Sequence, residues 1–294
     1  MPRSIFEYTL TDWKRLRPMS HTLKRLRYYW VDHCYMKRQP KERNSTAVAQ
    51  AITGRDVLVT ISFNDPEAIA WQIELLRFYV PRACHIVVDN SSERTAAVEI
   101  AKVAAHYQIP YLKLPDNPWR SVSRSHGIAM NWTWHNILRP GNPRAFGFID
   151  DDLFPTASDD LFAPLDTQEF FGLVREVDHR WFLWAGFCTF RFDAVKDKPL
   201  DFGQDWFMGL DTGGANWDVL YRSVDLSALQ VPNTIFTPYK EGVDVRDGPM
   251  QWCGTWLHEI GSTGNSAVEA DKRRVVAGIL APHLDAARKT RQID

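Results

Sequence analysis

The feature that most constrains the fold is an alternation of strand and helix patterns that begins at Asp56. DVLVTISF (residues 56–63) is a short β-branched apolar run, and residues 66–79 follow with apolar positions at helical spacing. CHIVVD (84–89) is a second buried-strand pattern and residues 93–107 a second helical one. PYLKL (110–114), a helical stretch near residues 122–138, and the strand AFGFID (145–150) complete the series. Runs this rich in Val and Ile are buried on both faces, and their βαβαβαβ order predicts an α/β fold with a mostly parallel sheet flanked by helices. Ligands bind such sheets at the carboxyl ends of strands, near the point where strand order reverses. The polar residues that end the strands are therefore the ones to examine.

Two acidic features lie there. Asp89 ends the second strand in VVDNSS, and Asp150, Asp151 and Asp152 end the later one in FIDDDLFP. Adjacent carboxylates after a buried strand raise one another's pKa and are costly unless a cation neutralises them. A hard divalent ion with oxygen ligands, Mn2+ or Mg2+, is the natural solution and leaves positions open for phosphate oxygens. The alternative is an acidic loop whose Asp side chains cap backbone N–H groups.

Composition bounds the partners. The formal charge of −1 and pI near 6.8 exclude a protein coated in the basic field that nucleic acid requires. Four cysteines, Cys34, Cys84, Cys188 and Cys253, show no CxxC or zinc-finger spacing and read as free thiols in a reducing compartment. No apolar run approaches a membrane span, and the N-terminus lacks a secretory pattern, so the expected location is cytoplasmic. Residues 1–54 stand apart: they hold eleven Lys or Arg against four Asp or Glu, an excess of seven positive charges. The stretch 13–35 mixes these with Leu, Tyr and Trp at helical spacing, which reads as a basic helical extension. It either lies on a membrane surface or packs on the main domain with its charges solvated.

Taken in order, VTISFND, VVDNSS, the helical SRSHGIAMN (123–131) and FIDDDLFP resemble the family-2-type and related GT-A glycosyltransferases, with the likeness covering roughly residues 56–155. The resemblance implies a GT-A catalytic domain over residues 55–294, with a nucleotide-binding half (55–155) and an acceptor-binding half (156–294). It implies a nucleotide diphosphate sugar as donor, UDP-type favoured. Asp89 would then accept a hydrogen bond from the base with Asn90 adjacent, where the alternative is a turn-forming carboxylate. Asp150 or Asp151 would meet the ribose, and Asp152, with Asp150, would hold the metal. Arg124 would neutralise diphosphate charge, or else stand as a solvated helix residue. Asn131 shares a helix face with Gly127, which by itself suits close packing.

The C-terminal half is richer in Trp. Residues 182–193 read as a further strand, and GQDWFMGLDTGG offers two carboxylates, Asp211 and Asp205, as the base that removes the acceptor's proton. Asp211, before the helical pattern NWDVLYR, is preferred; the alternative is an Asx-turn or helix cap. His258, in WCGTWLHEIGSTGN, resembles the family's third metal ligand, against a structural role. Trp206, Trp217, Trp252 and Trp256 present sugar-stacking platforms or core. Residues from 268 onward read as closing helices. Two other functions stand beside sugar transfer: nucleotidyl transfer, disfavoured because ISFNDPEA lacks a Gly-rich basic phosphate loop, and non-catalytic binding of carbohydrate or membrane.

Overall fold

The computed structural model describes residues 5–40, 44–261 and 266–291, so the end of the WCGTWLHEIGSTGN segment, residues 262–265, lies outside the described residues. The chain opens with a helical hairpin, α1 (Leu10–Lys14) and α2 (Arg17–Met36), turned at a left-handed Leu16 with φ 51°. Helix α3 (Ser45–Ala51) leads into the sheet.

Then follow β1 (Asp56–Ser62), α4 (Pro66–Tyr79), β2 (Cys84–Asp89), α5 (Arg94–His106), β3 (Tyr111–Lys113), α6 (Val122–Thr133) and, after a π-helical turn at Trp134–Leu138 and the short α7 (Arg139–Gly141), β4 (Ala145–Asp150). Helix α4 starts where the sequence dictates: Asp65 accepts from the Ala68 N–H at 2.9 Å, and Pro66 occupies the first turn, where a missing N–H costs nothing. Beyond β4 come β5 (Leu153–Pro155), the hairpin β6 (Phe170–Val177) and β7 (Arg180–Arg191), and α8 (Phe192–Val195). The remainder holds the pair β8 (Gln204–Asp205) and β9 (Leu210–Thr212), the strands β10 (Thr234–Pro238), β11 (Pro249–Cys253) and β12 (Trp256–His258), and the closing helix α9 (Ser266–Arg291).

The main sheet has the order β3-β2-β1-β4-β7-β6. Its first four strands are parallel, and β7 joins β4 antiparallel. The fold is thus α/β with a mostly parallel central sheet flanked by helices. Side chains of β1 alternate between two cores: Val57, Val59 and Ile61 face a layer with Trp132 and Trp134, while Leu58 joins Leu76 and Val80 of the α4 side. Strand order runs outward from β1 through β2 to β3 and then returns to β4 on β1's other side, so the reversal lies between β1 and β4. There Ile61 is registered with Asp150.

A second sheet, β10-β11-β12-β5, takes over where β4 ends. Three local expectations change. The segment after Asp211 forms a single π-type turn, Trp217–Tyr221, preceded by a 3-10 turn, and Asp211 itself sits in β9 rather than opening a helix. The C-terminal stretch is one helix, α9, which passes through Pro282 without ending. Trp256 is fully buried against Phe187 and belongs to the core, which removes it as a sugar platform.

Candidate functional site

The turn Asp151–Asp152 carries the chain from β4 of the large sheet to β5 of the small one. In the small sheet Leu153 is registered with His258, which brings the imidazole beside the turn. His258 Nε2 lies 3.3 Å from Asp152 Oδ1. Its other ring nitrogen meets the Gln251 amide oxygen at 3.1 Å, and Trp184 covers the ring with centroids 4.7 Å apart. An amide oxygen only accepts, so Nδ1 is the donor to Gln251 and Nε2 is the nitrogen that faces the turn. One ligand atom from each of Asp150, Asp152 and His258 falls within a set whose members all lie within 4.8 Å of one another.

Each aspartate is held differently. Asp151 Oδ2 accepts the Phe63 N–H at 2.7 Å, which ties the turn to the end of β1. Asp152 Oδ2 accepts the Gly261 N–H at 2.9 Å. Asp150 Oδ1 is buried with no hydrogen-bond partner among the described residues; His126 Nδ1 stands off at 3.5 Å. Burial and the neighbouring charge of Asp152 push the Asp151 carboxyl well above the usual carboxylate range. Burial also raises Asp150, relieved by His126 and reinforced by Asp152 and Asp211. Burial acts on Asp152 as well, yet His258, the Gly261 N–H and Arg273 together hold it below the ordinary value. The cluster therefore has one ionised carboxylate and two that resist ionising, and a divalent cation is the group that would reverse that resistance.

Supporting contacts come from residues that the sequence gave no reason to single out. Gln72 of α4 donates both amide hydrogens to carbonyls flanking the turn, Asp150 at 2.7 Å and Leu153 at 2.8 Å. Its oxygen accepts the Thr60 hydroxyl at 2.6 Å, and that hydroxyl lies 2.8 Å from His85 Nε2. The one hydroxyl proton goes to Gln72, so His85 must donate from Nε2. Burial pushes the His85 pKa down to about 3, consistent with a neutral ring. At Gly186 a Cβ would collide with the Trp184 ring and Asp150 Oδ2, so glycine is what lets this strand approach the site. From the other side α9 holds the loop after His258: Lys272 donates to the Ile260 carbonyl, and Arg273 bridges Glu259 and Asp65.

The remaining predicted residues fall into two groups. Asp89 is fully buried and internally engaged, accepting from the Ser91 N–H and the Tyr111 hydroxyl at 2.7 Å each. Asn90 bonds Ser125 and Asn117. The other group borders a cavity of about 600 Å³ between α2 and residues 200–207. Arg124 lies there, its guanidinium in the corner formed by the perpendicular rings of Tyr28 and Trp119 and 3.3 Å from Asp32. Asn131 donates to Asp201 at 2.6 Å and accepts from the Phe202 N–H. Asp205 lines the same cavity, and its Oδ1 accepts from the N–H groups of Phe207 and Met208. Gly127 permits close packing, though against the Phe202–Gly203 backbone rather than the sheet.

Asp211 belongs to neither group. Its Oδ1 accepts from Gln204 at 3.2 Å and Thr212 at 3.3 Å, and its charge is one of those raising Asp150. Burial raises the Asp211 carboxyl, but hydrogen bonds from Thr212, Ser123 and Gln204 outweigh it and leave the group below its usual value.

No protein-family model matches the chain, and no curated protein matches it. Among solved structures it is similar to the crystal structure of S. aureus TarS, with a TM-score of 0.36 and 14% identity over 50% of this chain and 30% of that one. It is similar to the mannosyltransferase PcManGT from Pyrobaculum calidifontis, in complex with GDP-Man and Mn2+, with a TM-score of 0.36 and 14% identity over 60% of this chain and 55% of that one. Both matches span less than two thirds of the other protein's length, and likeness at this level carries no argument about function.

Proposed function

We propose that this chain is a divalent-metal-dependent glycosyltransferase of the GT-A type. In this reading it moves a sugar from a nucleotide diphosphate sugar, UDP-linked by preference, to a hydroxyl acceptor in a single inverting displacement. The observation that carries the reading is the convergence of Asp150, Asp152 and His258 where the strand order reverses. Two carboxylate oxygens and an imidazole nitrogen suit Mn2+ or Mg2+, and the partnerless Asp150 Oδ1 is the atom such an ion would satisfy. When bound, the ion supplies Lewis-acid stabilisation of the diphosphate leaving group.

The protein's own side chains supply the rest. Asp151, anchored on the Phe63 N–H, borders the ribose. Asp89 and Asn90 shape the base end indirectly, by fixing Ser91, Tyr111 and Asn117. Asp211, ionised at neutral pH and electrostatically joined to Asp150, accepts the acceptor's proton, with Asp205 as the second candidate. Arg124 and Asn131 line the cavity that holds Asp205, so we place them with the acceptor rather than with the diphosphate.

The test is a thermal-shift screen of UDP, GDP and related nucleotides with and without Mn2+ or Mg2+. A ligand that binds only the folded state raises its stability by mass action. Metal-dependent stabilisation by one nucleotide, abolished in Asp152→Ala, supports the reading and names the donor. Silence towards every nucleotide in the presence of metal refutes it.

A further inference from the structure

We propose that the outer face of the α1–α2 hairpin is a docking surface for an anionic phospholipid bilayer. Large apolar side chains cluster there out of contact with the core. Leu10 and Trp13 of α1, Leu16 at the turn, and Met19, Leu23, Leu26 and Trp30 of α2 are all exposed, with Leu23 at 67% and Trp30 at 68%. The α2 members are spaced four, three and four residues apart, which puts them on one stripe of the helix. The opposite stripe is satisfied by the protein: Pro18 and Tyr35 are buried, the Tyr35 hydroxyl donates to the Pro115 carbonyl, and Tyr28 packs on Trp119. The outer stripe is thus a second apolar face on a helix that already has its core-facing one. Contiguous exposed apolar surface of this kind marks an interaction site.

Charge identifies the partner. Lys14, Arg15, Arg27 and Lys37 are exposed on the same hairpin. Its acidic residues are turned to the protein's own cations: Glu7 faces Arg180, Asp12 is buried beside Arg17, and Asp32 pairs with Arg124. The outer face therefore presents apolar and aromatic groups flanked by positive charge, the pattern of a helix lying in the plane of an anionic membrane interface. No helix among the described residues is long and apolar enough to cross a membrane, so the contact lies on the surface. A second copy of the chain fits less well, because a self-complementary contact would set these cations against their own images. Leu26 and Tyr29 belong both to the exposed face and to the lining of the cavity that holds Asp205, so a docked hairpin brings that cavity beside the lipid surface.

The chain carries its own reporter. Cys34 of α2 is exposed, while Cys84, Cys188 and Cys253 are buried, so a thiol-reactive environment-sensitive dye labels the hairpin selectively. The labelled protein would be mixed with vesicles of phosphatidylcholine alone or containing phosphatidylglycerol, without nucleotide or metal, and co-sedimented. The expected result is sedimentation with the anionic vesicles, a blue shift of the dye, and weakening with salt. The Leu23→Glu/Trp30→Glu variant, at positions exposed in the folded protein, should bind at least roughly tenfold more weakly with an unchanged far-UV circular dichroism melt. Lys14→Ala/Arg27→Ala should lose preference for anionic vesicles while leaving the apolar stripe intact. Absence of sedimentation, or binding that survives Leu23→Glu/Trp30→Glu, would overturn the proposal. So would a dimer in light scattering that this variant abolishes while vesicles bind neither form. Each readout is independent of the metal site, so it stands or falls apart from the transferase reading.

Discussion

Replacing Gln72 with Leu should weaken the protein and its candidate metal site together. Gln72 is fully buried and of similar volume to Leu, so the change removes hydrogen bonds with little effect on packing. The Asp150 and Leu153 carbonyls on either side of the acidic turn lose their amide donors, and the Thr60 hydroxyl loses an acceptor. A buried polar group left unpaired costs about 1–3 kcal/mol. Two carbonyls at the middle of that range, with partial relief by reorganisation, give about 3 kcal/mol. At about 2 °C per kcal/mol for a chain of this size, the metal-free protein should melt about 6 °C lower. Thr60→Val strands the Gln72 oxygen and the His85 Nε2–H, so it should cost a similar ~3 kcal/mol, but it leaves both donors on the carbonyls and should leave Mn2+ affinity unchanged. Urea unfolding gives the stability, and titration with Mn2+ gives the affinity, which should fall in Gln72→Leu because Asp150 and Asp152 are no longer held in one geometry. If Gln72→Leu unfolds within about 0.5 kcal/mol of the native protein, below the range for even one unpaired group, or if it binds Mn2+ unchanged, Gln72 does not brace the turn.

Asp151 has its folded-state pKa raised, so its stabilising contribution is complete below the unfolded value and is lost as pH climbs through the folded one. Asp151→Asn should therefore stabilise the metal-free protein at neutral pH, on the order of 1 kcal/mol, with the gain vanishing on acidification; calorimetric melts across pH check this, and a less stable variant at pH 7 contradicts it. Because Asp150 and Asp151 resist ionising without a cation, Mn2+ binding should release protons and weaken as pH falls, seen as a binding heat that varies with the buffer's ionisation enthalpy. A heat independent of buffer would argue against carboxylate ligation. Arg273→Met strands the buried Glu259 and frees Asp65, which should cost about 2 kcal/mol after allowance for partial exposure of the guanidinium. Adding Glu259→Gln should recover part of that loss, and a double-mutant cycle with no coupling would show that the bridge is idle.

The parallel strands were legible because their information is local: short apolar runs ending in Asp and flanked by breakers specify β2 and β4 to the residue, and Pro66 and Asp65 announce α4. The alternation implied a mostly parallel sheet with Asp150 to Asp152 on its carboxyl rim, whereas the strand order that sets β4 beside β1 at the reversal came from the structure. The charge of the N-terminal hairpin was legible too, being a matter of counting. The structure decided whatever depends on contacts between distant segments. His258 meets Asp152 only because β12 pairs with β5, and nothing in the spacing of either segment encodes that partnership. His126, Gln72 and Gly186 matter by where they point, and the sequence offers only a lone His, a helical Gln and one Gly among sixteen. Asp89 could be read as a base-binding or a turn-forming carboxylate, and the contacts from the Ser91 N–H and the Tyr111 hydroxyl that engage it inside the protein fit the turn-forming alternative. The hairpin's helical periodicity was visible, yet its two faces became distinct only when one packed against Trp119 and Pro115 and left the other to solvent. Local sequence fixes backbone preference and charge, whereas the pairing of side chains from opposite ends of the chain is set by how the whole core closes.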